Sequence, residues 1–483
     1  MSVWLGIDLG TSSAKCVAID AHGALVATAQ ERYGVDRPHP GWAEQDPERW
    51  WSATVATLRA VTQALPAGTE IKSIGLSGQM HGVVLVDAHA RPVRPAIIWS
   101  DARSGDEVAL WRDEIGDDEL EAVTGFRSAH GFAGPSLTWL RRHEPDALAA
   151  AAHVMQPKDY VRLRLTGEAA LEMCDAGGSL LFDLEAQRPS ARLLEVAGIT
   201  PEMLPPLRPT LGVAGTVRPT AAEETGVPAG TIVAAGGSDQ AMTALALGLE
   251  DPSRAAVTLS SGGTVLVPVA SSVPAGYHRL AAAQAGRTIA MGVVLAAGLA
   301  TDWLARLVGR PEKDLLEAAA TAEMDDTLAA TPHLGGTRTP VVSTRAQGAF
   351  SGVGFHHGAE HLMRALVEGT AVSLADSLAA VSGGRIDAST TIVLSGGGSR
   401  FAVWRQAVAD ATGVPVVISS DLEHAALGAA LSGAAAEGTP IEFHAPERVL
   451  AVVEPDAAST QRLARLRAGA SEDARKPKGG SDE

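Results

Sequence analysis

Two aspartates stand where strand-like runs end. Asp239 closes "TIVAAGGSD", behind two glycines and ahead of Gln240. Asp8 closes "VWLGID" and leads into Leu9-Gly10-Thr11-Ser12-Ser13, turn residues between two apolar runs. Such an acid reads two ways. It is a turn residue bonded to its own backbone, or a base or cation-holding group delivered to a ligand. Taken alone, either acid is more often the first. Gly10, Thr11 and Ser12 make a tip of N–H and hydroxyl donors able to hold phosphate oxygens, with Asp8 placed to hold Mg²⁺ through water. The run "AAVTLSSGGTVLVPV" repeats the device about half a chain later, with Ser260, Ser261, Gly262, Gly263 and Thr264 between its β-formers. Two such hairpins facing each other from duplicated domains would clamp the phosphates of a nucleotide.

Other stretches carry chemistry less specifically. "TIVLSGGGSR" opens a strand into Gly396, Gly397, Gly398 and Ser399, and three glycines let backbone approach a ligand such as a nucleoside. "GLSGQMHG" places Gln79 and His81 in an apolar hairpin, where the histidine either bonds a polyol or is a satisfied core residue. Trp99, Asp101 and Arg103 alternate, which on a strand puts them on one face. An aromatic beside a charged pair suits a sugar surface; a packed Trp beside a salt bridge is the plainer reading. His356, His357 and His361 include an i, i+4 pair, but no carboxylate stands as a clear third ligand, so no metal site is read there.

Positioning these residues requires more than one core. A chain of 483 residues implies two or three domains. Strand-like runs at 71–78, 82–88 and 95–101 alternate with helical windows at 47–61, 105–114 and 135–143, an α/β pattern. Asp46 is placed to cap the first of these helices, with Pro47 at its first position. The repeated hairpin divides the chain into an α/β unit at 1–242 and another at 243–440. A C-terminal extension with a helix follows at 441–468, and a small, charged, Gly-rich tail at 469–483 is expected to be disordered. Only Cys16 and Cys174 occur, which excludes a disulfide framework and suits the cytoplasm. A net charge of −17 without a basic stripe argues against nucleic acid. Nowhere does Gly-Lys-Ser or Gly-Lys-Thr occur, so a P-loop is excluded. No run of about 18 apolar residues predicts a membrane span, and the N-terminus reads as a first strand rather than a signal peptide.

These motifs, in this order, resemble the FGGY carbohydrate kinases. The resemblance spans residues 3 to about 432 and rests on "GIDLGTSSAKCVAID", "RPHPGWAEQDPERWW", "GLSGQMHG", "RPAIIWSDARS", "PKDYVRLRLTGE", "GGSDQ", "GAFSGVGFHH", "VLSGGGSRFAVWRQAVADATGVPV" and "HAALGAALSGA". It implies a duplicated ribonuclease H-like fold of the actin, hexokinase and Hsp70 type, with two domains and an interdomain cleft. It implies ATP and Mg²⁺ as cosubstrates, a small sugar as acceptor, and a homodimer. "GQMHG" favours D-xylulose over glycerol or ribulose, with transfer to the 5-hydroxyl; ribulose, fuculose and a non-catalytic nucleotide sensor are the other readings. By the resemblance Asp239 is the catalytic base, and the glycines before it let backbone approach the sugar. Met80 and His81 contact the sugar, and Trp99, Asp101, Arg103 and Gln240 lie on its side. Asp8, Gly10, Thr11, Ser12 and Lys15 form the first phosphate hairpin, and Ser261, Gly262, Gly263 and Thr264 the second. Gly396, Gly397, Gly398 and Ser399 form the adenosine turn. The chain departs from the family pattern at Gln240 (usually Asn), Thr337 (usually an acid), Ser136 (usually Lys) and in the Ser-Gly-Gly-Thr loop.

Overall fold

Strands β1 (Ser2–Leu9) and β2 (Ser13–Ile19) form an antiparallel hairpin that β3 (Leu25–Arg32) extends. Burial is nearly continuous along β1 and β2 and largely lost along β3, as expected of central strands beside an edge. The helix Pro47–Ala64 then crosses over, capped as expected: Asp46 accepts from the Glu48 N–H at 3.0 Å and Pro47 sits in the first turn. It returns the chain to β4 (Glu70–Gly78), parallel to β1. The sheet is completed by β5 (Val213–Thr216), antiparallel to β6 (Ile232–Ala234), which is parallel to β4. A short β7 (Gly237–Ser238) also pairs with the C-terminal end of β4.

The same plan recurs. β8 (Arg254–Leu259) and β9 (Gly263–Val269) form a hairpin, and β10 (Thr391–Ser395) lies parallel to β8. β11 (Val416–Ser419) is parallel to β10, and β12 (Val449–Val453) is antiparallel to β11. The order β9-β8-β10-β11-β12 thus repeats β2-β1-β4-β6-β5 with the same strand directions. The duplication read from two hairpins therefore extends to the sheets.

The computed structural model describes residues 1–270, 273–343, 345–419, 423–441 and 449–475. By packing the chain forms two compact units, neither contiguous in sequence. The first comprises Met1–Glu250, His278–Ile289 and Glu423–His444; the second comprises Asp251–Tyr277, Ala290–Leu422 and Ala445–Glu483. The helix His424–Glu437 therefore belongs with the first sheet. Its backbone lies directly on β1 and β4: a Cβ on Gly6 would sit 1.9 Å from the Ala426 carbonyl, and one on Gly75 1.7 Å from that of Ala429.

The helix Ala359–Ser382 is long and apolar enough to span a membrane by length and composition, which the sequence reading did not anticipate. Its most apolar stretch is 67% buried, and Met363, Leu366, Val367 and Leu374 form part of the core of the second unit. It is a core helix whose hydropathy comes from alanine and leucine. The C-terminal helix Ala457–Arg475 continues past residue 469, where disorder is expected from composition; residues 476–483 lie outside the described residues.

Candidate functional site

In the first unit, Asp8 sits one residue from the end of β1, directly opposite Lys15 on β2. Its carboxylate accepts from the Ser77 hydroxyl at 2.9 Å, and Ser77 faces it from β4. Lys15 does not point its ammonium to open space: Nζ is paired with Glu423 Oε2 at 2.5 Å. Burial lifts Asp8 above the usual carboxylate range; Ser77 and Lys15 pull it down, and Glu423 pushes it up again.

The tip beyond Asp8 is braced from below. Gln45 Nε2 donates to the Thr11 carbonyl at 2.7 Å, Gln79 Nε2 donates to Gln45 Oε1 at 2.9 Å, and the Tyr33 hydroxyl donates to the Gly10 carbonyl at 2.5 Å. Gln79 is thus buried structure behind the turn. Trp99 Nε1 donates to the Thr11 hydroxyl at 2.8 Å while the ring stays 49% exposed.

Asp239 occupies the first turn of the helix Asp239–Ala246, with Ser238 as N-cap accepting from the Ala241 N–H at 3.3 Å. The positive end of the helix favours its charge. Asp239 Oδ1 accepts from the Gln240 N–H at 2.8 Å, so the turn-type contact with its own backbone does exist. Burial first, then the neighbouring Asp8 charge, push Asp239 up to about 7 against the pull of hydrogen bonds from Gln240. Both carboxylates remain half-buried, reached by solvent on one side. A half-buried acid near neutrality beside a second acid is arranged for proton transfer. The charge on Asp8 raises the proton affinity of Asp239, a repulsion that a cation relieves.

The glycines before Asp239 serve the protein rather than a ligand. Gly236 has φ +75° and a Cβ there would lie 2.1 Å from the Leu76 carbonyl; one on Gly237 would meet Met242 at 2.7 Å. They let β7 seat against β4.

Met80 is buried, and His81 is half-buried with φ +72°, a left-handed backbone that a histidine adopts only at a cost. His81 Nδ1 lies 2.6 Å from the Gly178 carbonyl. A carbonyl only accepts, so in the neutral ring Nδ1 carries the proton and Nε2 is the basic nitrogen. Phe126 and Phe132 flank the ring, with centroids 5.6 and 4.0 Å away.

The expectation for Trp99, Asp101 and Arg103 needs correction. The strand there is only Ala96–Ile97, so strand alternation does not apply beyond it. Asp101 is 1% exposed and is bound by Arg103 Nε at 2.9 Å and by the Ala43 N–H at 2.5 Å. Arg103 also pairs with Glu44 and stacks 3.6 Å over Trp42. Asp101 and Arg103 are a buried structural pair; of the three, only Trp99 keeps an exposed face.

In the second unit, the Ser260–Gly262 turn joins β8 to β9. The Ser260 and Ser261 carbonyls accept from the N–H groups of Gly298, Ala297 and Leu299 at 3.0 Å, fixing the tip to the start of the helix Gly298–Val308. Gly262 and Gly263 are required by packing: a Cβ would sit 2.8 Å from the Val294 carbonyl or 2.9 Å from Leu374. Thr264 lies across the ladder from Thr258, whose hydroxyl meets that of Ser395 at 2.9 Å.

The three glycines after β10 differ in role. Gly396 has φ +84° and a Cβ 2.3 Å from the Leu259 carbonyl; Gly398 would meet the Leu259 side chain at 2.7 Å. Ser399 is buried and donates to the Gly396 carbonyl at 2.7 Å, closing the turn on itself. Only at Gly397 would a Cβ meet nothing within 4 Å. That is the glycine whose open face the protein does not fill.

The histidine cluster acquires the carboxylate that the sequence did not reveal. Asp325 Oδ2 lies 2.9 Å from Nε2 of both His356 and His357. The geometry still disfavours a metal. A ligating histidine turns its other nitrogen to an acceptor, whereas His357 Nδ1 itself accepts the Gly354 N–H at 2.9 Å. Its Nε2 therefore carries a proton toward Asp325, and the cluster is a hydrogen-bonded brace.

Sequence reasoning missed Ser77, Glu423 and Gly178 as partners of site residues. Ser77 and Gly178 were visible only as small residues in apolar segments, and Glu423 lies 408 residues from its partner Lys15.

Residues 3–246 match the model of the FGGY family of carbohydrate kinases, N-terminal domain, and residues 255–437 that of its C-terminal domain. The chain is 36% identical over 416 residues to a xylulose kinase of Escherichia coli K12, covering 85% of each chain. It superposes on the crystal structure of a xyloylose kinase from Brucella ovis with TM-score 0.90 and 34% identity, over 98% of this chain and 99% of that one. A xylulose kinase from Rhodospirillum rubrum gives TM-score 0.89 and 30% identity over 98% of each.

Proposed function

The chain belongs to the FGGY family of carbohydrate kinases, and we propose that it transfers the γ-phosphoryl group of ATP to the 5-hydroxyl of D-xylulose, with Asp239 as base. The observation that carries this reading is the half-buried Asp239, pushed up to about 7 beside Asp8 at a helix N-terminus. Xylulose kinases at 36% and 35% identity over most of their length support the choice of sugar.

Transfer begins with the sugar hydroxyl, whose proton must leave as the new O–P bond forms. Ionised Asp239 accepts it, its carboxylate held in place by the Gln240 N–H on Oδ1 and by the Gln240 side chain. His81 Nε2, the basic nitrogen of its ring, accepts from another sugar hydroxyl, and the exposed face of Trp99 offers an apolar surface to the sugar. Asp8 and Asp239 supply hard oxygen donors that suit Mg²⁺, and their mutual repulsion is relieved by a cation. When bound, Mg²⁺ neutralises charge on the phosphoryl oxygens. In the second unit, Gly397 leaves backbone bare for the nucleoside.

The glycine assignment makes a prediction. Gly397→Ala is expected to fold normally and to raise the KM for ATP about 3- to 10-fold, because a methyl group enters space left for the nucleoside. Gly396→Ala is expected to fold poorly, since φ +84° and the Leu259 carbonyl both oppose it. Steady-state kinetics and thermal unfolding of the two variants check this.

The sugar itself is tested by ADP formation with MgATP against a panel of pentuloses, hexuloses and polyols. D-xylulose is expected to give the highest kcat/KM. A higher value for ribulose or fuculose would overturn the choice of sugar, and ADP release indifferent to every sugar would overturn the kinase reading.

A further inference from the structure

Lys158, Asp159, Arg162, Glu172 and Asp175, each no more than 1% exposed, form one buried charge cluster in the first unit. Lys158 Nζ reaches Asp159 at 2.6 Å, Glu172 at 3.1 Å and Asp175 at 3.2 Å, and Arg162 reaches Asp159 at 2.8 Å. Buried ion pairs add little to stability over well-packed apolar residues, so their presence asks for another explanation.

The cluster reaches toward both halves of the sugar site. Arg162 Nη1 donates to the Ala235 carbonyl at 2.6 Å, four residues before Asp239. Glu172 Oε2 accepts from the Cys174 N–H at 2.7 Å and the Thr210 hydroxyl at 3.1 Å, and both residues pack against Gly237. On the other side, the helix Met173–Ala176, which carries Asp175, runs into the turn Gly177–Ser179. There Gly178 holds His81 through its carbonyl and abuts Met80. Lys158 itself packs under Gly78, just ahead of Met80 and His81; a Cβ on Gly78 would lie 2.9 Å from its own.

We propose that this buried cluster sets the spacing between His81 and Asp239, with Lys158, Glu172 and Arg162 as positioning residues for sugar phosphorylation. The proposal rests on the kinase reading above. Charge balance supports it. Three carboxylates face two cations, and burial together with Asp159 and Glu172 lifts Asp175 well above the usual carboxylate range despite Lys158. Removing one cation together with one carboxylate leaves the net charge of the cluster unchanged, so its contacts can be altered in matched pairs.

The test is the charge-balanced variant Lys158→Met/Glu172→Gln, beside Arg162→Lys. The double variant is expected to unfold at or near the parent temperature. Its KM for D-xylulose should rise at least 10-fold while the affinity for a non-hydrolysable ATP analogue stays within twofold. Arg162→Lys, which loses the Nη1 hydrogen bond to the Ala235 carbonyl, is expected to lower kcat about 10-fold with little change in sugar KM. In ¹⁵N-histidine-labelled protein, His81 should show the Nδ1–H tautomer in the parent and a mixture in the double variant. This readout needs no turnover, so it stands apart from the kinase reading, which fails separately if the parent shows no sugar-dependent ADP. Sugar constants within twofold of the parent, an unchanged His81 signal, or parallel loss of stability, sugar and nucleotide affinity would overturn the proposal. If the double variant does not fold, an unchanged kcat in Arg162→Lys overturns it.

Discussion

Asp239→Asn is expected to lower sugar-dependent turnover by about 10²–10⁴-fold and at the same time to stabilise the protein at pH 8. The two effects share one cause. The folded protein raises Asp239 from 3.8 to about 7, so ionising it costs folding free energy. The sign follows from linkage. Below the unfolded value both states are protonated and nothing is lost. Between about 3.8 and 7 the unfolded chain ionises while the folded carboxyl keeps its proton, so stability falls as pH rises; above about 7 both are ionised and the penalty stays constant. Removing the charge should therefore recover about 1–3 kcal/mol at pH 8, a figure reduced for the solvent-reached edge of the carboxylate, and little at pH 4. Denaturant unfolding at both pH values checks the stability, and ADP release checks the turnover. In the parent, kcat/KM should fall as pH drops below about 7, because the base must be ionised. A variant with near-normal turnover, or one less stable than the parent at pH 8, would contradict the assignment.

Gly75→Ala is expected to destabilise the first unit by about 3–5 kcal/mol, a severe effect for one methyl group. Its Cβ would lie 1.7 Å from the Ala429 carbonyl and 2.6 Å from the Ser432 hydroxyl. Both belong to the helix His424–Glu437, and its main chain cannot retreat without leaving β1 and β4. Gly6→Ala should behave alike, since its Cβ would sit 1.9 Å from Ala426 O and 2.5 Å from Ala430 N. The effect reaches the chemistry, because Glu423, which pairs with Lys15 opposite Asp8, immediately precedes that helix. Gly105→Ala is the control: nothing lies within 4 Å of its Cβ at the start of the helix Gly105–Glu114, and it should be neutral. Urea unfolding of the three variants measures the contrast.

Local order was largely legible in the sequence. Asp46-Pro47 signalled a helix start and the two Ser/Gly/Thr turns their hairpins, since each rests on backbone preferences of nearby residues. The glycines were legible as special but not for the right reason. In the two site motifs, Gly236, Gly237, Gly396 and Gly398 meet protein backbone or side chain, whereas Gly397 faces open space; sequence alone cannot say what approaches a bare Cα. Alternation misled at Asp101 and Arg103 because the strand ends at Ile97. The helix His424–Glu437 and the buried charges around Lys158 were beyond reach for another reason. Their partners are distant in the chain, as with Gly6 and Ala426 or Arg162 and Ala235, and no local pattern encodes such contacts.

The most direct test of the account is a ³¹P NMR time course of purified protein with MgATP and D-xylulose. ADP and a sugar 5-phosphate should appear in equal amounts, with neither formed when the sugar is omitted. ADP and inorganic phosphate accumulating at the same rate with and without D-xylulose would contradict it.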